Sequence, residues 1–288
     1  MSLSSEEKVI QNIIECSADA KISSAEIDLL LGRLLVIDGL GQLTLSDIKN
    51  EINTRYERLS KARRQAGQEC SIYDSVREKL AFCRKLYEKL DKKAYEDFIS
   101  PFPRRAVKIA YWYSNSYAKE ALEKFTGVFR NCTQLPLESI GEVCESIEEH
   151  SCYGIIPLVN SSDGRLMSFY RLLDKYDLKI SAICKVDIPT GGYMKMALVG
   201  KDILNADNSN YKTVEIIANS FVNEFIILAH LINAKVGDLS SIPSSYNESE
   251  SITYLSITAE IQNLYLLWLY IYLFSSDTEF IGFYNEVN

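Results

Sequence analysis

The chain has 288 residues, 47% of them hydrophobic and 24% charged, with a formal net charge of −8 and a pI near 5.0. That length gives room for two or three domains, and that composition excludes wholesale disorder. The acidic balance excludes general nucleic-acid binding, which needs a basic face, but leaves room for a local cationic pocket for a small anion.

The seven cysteines are odd in number, no two are spaced as in a zinc knuckle or redox motif, and only His150 and His230 accompany them. That argues against a metal centre, and no cofactor is expected. The thiols read as reduced and mostly buried, in a cytoplasmic protein. The first residues lack the basic-then-apolar pattern of a secretion signal. The late apolar run Tyr265 to Phe274 is too short to span a bilayer and reads as a buried helix, so no membrane partner is expected.

Taken in order, residues 4 to about 95 read as helical. Ile10, Ile13 and Ile14 form a first stripe, and Ile27, Leu30, Leu31 and Leu34 a second, broken at Gly39–Gly41. Ser46 and Asp47 start a helix with Ile48, Ile52, Tyr56 and Leu59 on one side, ending near Gly67. Another covers roughly Ile72 to Leu90, with Val76, Leu80, Cys83 and Tyr87 inward. Pro101 and Pro103 mark a linker. Val107 to Trp112 is a strand, Ser114 to Tyr117 cap a helix over 118–125, and Leu137 to His150 is a further helix. Then Tyr153 to Val159 (a buried strand), the polar loop Asn160 to Gly164, a helix from Arg165 to Lys175 and a strand from Leu178 to Cys184 make the unit from which parallel sheets are built. Gly191–Gly192 reads as a tight turn. After a linker at 207–211 come a strand at 213–218, a helix at 221–234, strands at 236–241 and 252–259, a helix at 261–274 and a strand at 279–284.

Pro157-Leu158-Val159-Asn160-Ser161-Ser162-Asp163-Gly164 resembles the Pro-x-x-Asn-Ser-x-x-Gly signature of prephenate dehydratases. In that family the Asn-Ser pair and the glycine sit beside the substrate, which implies ligand-binding roles for Asn160, Ser161 and Gly164. Ser114-Asn115-Ser116-Tyr117 resembles the family's opening loop, with Ser116 at a helix start that can hold a carboxylate; an ordinary N-cap is the alternative. The acid that usually precedes the asparagine is Val159 here. Aligned on Ala197-Leu198-Val199-Gly200, the family's Thr-Arg-Phe triplet becomes Met194-Lys195-Met196, so Lys195 alone could hold a carboxylate there. The chain also runs from Ile188 directly into Pro189-Thr190-Gly191-Gly192, where the family continues into a second lobe. The resemblance therefore implies a single dehydratase lobe without dehydratase activity.

Two further resemblances flank it. Residues 60–67 and Asp74-Ser75-Val76-Arg77-Glu78 resemble helix segments of all-helical chorismate mutases, which implies catalytic roles for Arg63, Asp74 and Glu78; a capped, solvated helix start is the alternative reading of Asp74 and Glu78. Residues 212–288 resemble an ACT domain, a βαββαβ amino-acid sensor that often dimerises, with Ser244 left from its regulatory motif. The expected fold is thus α+β and multidomain: a helical region at 1–105, an α/β lobe with a mostly parallel sheet at 106–206 and an ACT-like βαββαβ domain at 207–288. The expected function is binding of a small carboxylic acid (chorismate, prephenate or an aromatic amino acid) or of a partner chain, in aromatic amino-acid or specialised aromatic metabolism, by a homodimer. Surviving chorismate mutase activity and altered chemistry on prephenate are the alternatives.

Overall fold

The computed structural model describes residues 45–65, 67, 70–89, 107–129, 132–150, 152–203, 210–218, 222–243 and 251–287. The helices expected before residue 45, the linker at 100–105 and Ser244 lie outside them. Two compact units are present.

The first unit is helical. Helices α1 (Leu45–Gln65) and α2 (Ile72–Lys89) group with two later segments, Asn223–Ile232 and Tyr265–Ser276. Most of the stripes foreseen in the sequence are its core: Ile48 and Ile52 on α1, and Val76, Leu80 and Cys83 on α2, are buried, while Tyr56 and Tyr87 are half-buried and Leu86, not foreseen, is buried in place of Tyr87. Spacings of three and four residues put each set on one helix face. Phe274 closes this core, with its ring 5.8 Å from Tyr56, 6.3 Å from Phe82 and 5.6 Å from Tyr270.

The second unit is built on one sheet. Its strands are β1 (Val107–Trp112), β2 (Cys132–Leu137), β3 (Tyr153–Asn160), β4 (Gly164–Arg165), β5 (Lys179–Asp187), β6 (Tyr193–Gly200), β7 (Tyr211–Ala218), β8 (Lys235–Pro243), β9 (Ser251–Glu260), β10 (Thr278–Tyr284) and β11 (Glu286–Val287). Interspersed in the chain are α3 (Ser116–Val128), α4 (Ile140–His150), α5 (Met167–Lys175), α6 (Val222–Leu231) and α7 (Ile261–Phe274). The main strand order is β2-β1-β3-β6-β5-β10-β7-β9-β8, with β4 beside β3 and β11 beside β5.

The mostly parallel sheet expected for the α/β lobe is corrected to a mixed one. β1 runs parallel to β2 and β3, and β5 runs parallel to β10 and β11, but β6 lies antiparallel between β3 and β5. The physical cause is the turn at Ile188–Gly192, where Gly191 N–H donates to the Ile188 carbonyl and Ile188 N–H to the Gly192 carbonyl. Such a short connection can only fold the next strand back antiparallel. The strand–helix–strand unit survives around it: β3 and β5 share a direction, with β6 inserted between them. Strands β7 to β10 stand in the order β10-β7-β9-β8, all antiparallel, and with α6 and α7 keep the expected βαββαβ sequence of elements.

Other boundaries shift for local reasons. α4 starts at Ile140 rather than Leu137, because residues 132–137 pair with β1 as a strand that the sequence reading missed. α5 starts at Met167 rather than Arg165, because Gly164 and Arg165 pair with Asn160 and Val159.

Both sheet faces are covered. On one, Ala118, Ala121, Leu122 and Phe125 of α3 meet Ile109, Ile155 and Leu198. On the other, Val143 and Ile147 of α4 with Tyr170 and Leu173 of α5 meet Ile156, Leu158 and Val199. Ile155 and Ile156 thus divide between the faces, as the two-residue strand period requires. Tyr254, Ile281 and Tyr284, from the later strands, join the second cluster.

The cap of α3 is Asn115, whose Oδ1 accepts from Ala118 N–H at 3.0 Å. Asn115→Ala is expected to cost about 1 kcal/mol, read as a lowered urea midpoint at unchanged slope, because it orphans an amide at the helix start.

Candidate functional site

The carboxyl ends of β1 and β3 lie side by side because the two strands are parallel neighbours, and this is where sheets of this kind place their ligand loops. Ser116, Asn160, Ser161, Gly164 and Lys195 all belong to this end of the sheet. Ser116 is exposed at the first turn of α3. Asn160 pairs with Met194 across the ladder, and Val159 with Lys195.

The loop is held by its own polar groups. Asn160 Nδ2 donates to Asp163 at 2.8 Å, while its Oδ1 accepts from Ser162 N–H at 3.0 Å. Such a side-chain turn is what asparagine supplies at the end of a strand. Ser161 Oγ accepts from Tyr193 N–H at 2.9 Å, and Ser161 N–H donates to the Tyr193 carbonyl at 2.9 Å. Gly164 closes the turn at φ +77°. Gly192 approaches from the β5–β6 turn at φ +87°, and a Cβ there would lie 2.3 Å from Ser161 Oγ. Glycine is needed at 192 on both counts. Lys195 Nζ lies 3.8 Å from an Asp238 carboxylate oxygen.

Behind the loop is a buried network that the sequence reading passed over. Arg165 donates through Nη1 to Glu215 and to Tyr170 Oη, the latter at 2.7 Å, and through Nη2 to the Asp238 carbonyl at 3.2 Å. Tyr284 donates to the other Glu215 oxygen at 2.9 Å. The guanidinium also lies over the Tyr170 and Tyr254 rings, 5.1 and 5.9 Å from their centroids. Burial, with the Glu215 charge next, holds both the Tyr170 and Tyr284 phenols well above the ordinary tyrosine range, so they act as neutral donors. Burial alone would depress the Arg165 guanidinium, but Glu215 outweighs it and raises it. Since β4 lies beside β3 while Glu215 and Asp238 belong to β7 and β8, the sheet curls to bring these strands together. The only sequence signal was an arginine immediately after the loop glycine, together with a glutamate inside an apolar strand.

The helical unit carries the other candidates. Arg63 makes a two-pronged bond with Glu78, at 3.0 and 2.5 Å, and is 8% exposed. Burial works against the Arg63 charge, yet the Glu78 bond and charge raise its pKa. A cavity of about 540 Å³ opens beside it, lined among others by Tyr56, Arg63, Arg64 and Ser75. Burial, partly offset by the bond to Ser75, pushes the Tyr56 phenol up to about 12. Asp74 is not drawn into this pair. It exchanges hydrogen bonds with Ser71, at 2.7 and 3.1 Å, and meets Arg77 at 3.3 Å, as a helix-start residue does.

The fold and the loop define a mixed α/β protein with a polar loop at a strand's carboxyl end. Residues 113–190 match the prephenate dehydratase family model, a span that runs from β1's exit through the loop to the start of the β5–β6 turn, and this segment is prephenate dehydratase-like. Among solved structures the chain is similar to prephenate dehydratase from Streptococcus mutans, at 18% identity and a TM-score of 0.52, over 64% of this chain and all of that one. It is also similar to a quorum-quenching acylase (14%, TM-score 0.46, 62% of this chain and 94% of that one) and to prephenate dehydratase of Arthrobacter aurescens in complex with L-Phe (9%, TM-score 0.48, 62% and 89%). At these identities the first likeness is one of fold. No curated protein sequence matches the chain.

Proposed function

We propose that this is a prephenate dehydratase-like protein of aromatic metabolism that has lost dehydration and acts by binding a small carboxylic acid or a partner chain. The observation that carries the reading is the state of the loop. Both ends of the Asn160 amide, the Ser161 N–H and the Ser161 hydroxyl oxygen as acceptor are engaged within the chain, so they brace a turn. The neighbouring positions are Val159, Met194 and Met196, which offer no side-chain hydrogen bond of ordinary strength. A short turn at 188–192 replaces the connection from which the family's second lobe would grow. Acid–base chemistry on a dicarboxylate needs groups poised toward substrate and water excluded around it.

A second reading, chorismate mutase activity in the helices, is favoured by the cavity beside Arg63 and Glu78. It requires that bidentate pair to open toward a substrate carboxylate.

Purified protein given prephenate at neutral pH is expected to leave it at the uncatalysed rate, followed by chromatography. Turnover above that rate overturns the first reading. Turnover of chorismate that Arg63→Ala and Glu78→Ala each abolish would replace it with the second. Thermal-shift measurements with prephenate, chorismate and L-Phe then separate acid binding from a role confined to a partner chain.

A further inference from the structure

Helix α1 turns an unusual face to a second cavity of about 670 Å³ in the helical unit. Lys49, Lys61 and Arg64 reach it from α1 and Lys79 from α2, against one carboxylate, Glu57. Lys79 is already bonded to Glu224 at 2.7 Å. Among the described residues the other three meet no carboxylate within ion-pair distance: Lys49 lies 4.9 Å from the Tyr272 ring centroid, Arg64 donates to the Ser60 carbonyl of its own helix, and Lys61 is exposed. Lys61 and Arg64, three residues apart, are neighbours on one helix face, and such like charges repel. Gathering four cations on one cavity in a chain of net charge −8 is a local reversal of sign.

Aromatic rings lie among the charges. Tyr56 and Phe274 both line the cavity, and Lys79 Nζ sits 5.3 and 5.6 Å from their ring centroids. The volume lies within the roughly 300–1,000 Å³ usual for small-molecule sites. Convergent cations select anionic groups, and a ring surface beside them selects a planar apolar body.

We propose that this cavity is a binding site for a small ring-bearing polyanion, whose negative groups are carboxylates or a phosphate. Arg63, Asp74 and Glu78 are not part of its lining, and the strand-end loop belongs to the other unit. The site shares Tyr56, Ser60 and Arg64 with the cavity beside Arg63, whereas Lys49, Lys61 and Lys79 line it alone, so variants at those lysines separate this site from the second reading above.

The test is calorimetric titration of the full-length protein with phenyl phosphate, isophthalate and inorganic phosphate at low and moderate salt. One or both ring-bearing probes are expected to bind at least tenfold tighter than inorganic phosphate, the phosphate and dicarboxylate arms telling which anion is preferred. Lys49→Ala/Lys61→Ala, at two cations that line this cavity and not the one beside Arg63, is expected to weaken that binding at least tenfold. Lys49→Arg/Lys61→Arg, which keeps the charges, should retain most of it, and Lys195→Ala, in the other unit, should leave it unchanged. Equal affinity for inorganic phosphate, or unaltered affinity in the charge-removing variant with its circular dichroism intact, overturns the proposal.

Discussion

Arg165→Ala is expected to destabilise the protein by about 3–5 kcal/mol, measured by urea unfolding at neutral pH. The side chains of Arg165 and Glu215 are only 7% and 3% exposed, so neither charge is solvated in the folded state. Removing the guanidinium leaves the Glu215 carboxylate buried with only phenol donors, and also strips the Asp238 carbonyl and the Tyr170 hydroxyl of a partner. A surface ion pair lost in the same way would cost under about 1 kcal/mol, so the size of the effect separates the two descriptions. Arg165→Met/Glu215→Leu is expected to regain most of the loss, since a buried pair replaced by apolar side chains leaves no orphaned charge. If the single variant falls within about 0.5 kcal/mol of the parent, the range of an ordinary surface change, Arg165 and Glu215 do not act as a buried, mutually dependent pair.

Gly282→Val is expected to cost about 1–3 kcal/mol or more, by the same measurement. Gly282 is the residue of β10 that pairs with Ile180 of β5 and, across the other edge of the strand, with Glu215 of β7. A Cβ at this position would lie 2.9 Å from Ile180 Cβ and 3.1 Å from the Tyr284 ring. Ile180 Cβ is anchored to its backbone and cannot swing aside as the end of a long side chain would. The strands must part, or the Tyr284 ring must leave its bond to Glu215. The two variants should therefore be non-additive when combined, because they strain one cluster.

Much of this architecture was legible in the chain. The stripes Ile48–Ile52 and Val76–Leu80–Cys83 announced their helices, because a helix face repeats locally. The run 261–274 was placed to the residue, since an apolar stretch bounded by polar residues has few alternatives. Strand β2 was missed because Cys132-Thr133-Gln134-Leu135-Pro136-Leu137 has no clean alternation and contains a proline, which an edge position tolerates. The place of β6 was missed for another reason. Which strand lies between which is decided by non-local pairing, and a two-residue period carries no record of its neighbour.

The site shows the same division. Asn160, Ser161 and Gly164 were found by their spacing, but whether an amide faces a ligand or its own turn depends on Asp163 and Tyr193, which a motif does not weigh. Arg63 and Glu78 were named through the chorismate mutase resemblance as residues of one pocket, and that they bond to each other needs two helices side by side. Arg165 and Glu215 stand fifty residues apart, and nothing local links them.

The meeting of β5 with β10 and β11 has a practical consequence for anyone cutting the chain. The linker expected from sequence at 207–211, whose last residue Tyr211 already belongs to β7, invites an expression boundary, yet the sheet joins strands from both sides of it. A fragment ending at residue 206 would uncover the edge of β5, where Ile180, Ile183 and Cys184 are now buried. An apolar edge left unpaired is a template for stacking with other copies. Poor solubility of such a fragment would then report the loss of a neighbouring strand, and would say nothing against the fold of its own residues.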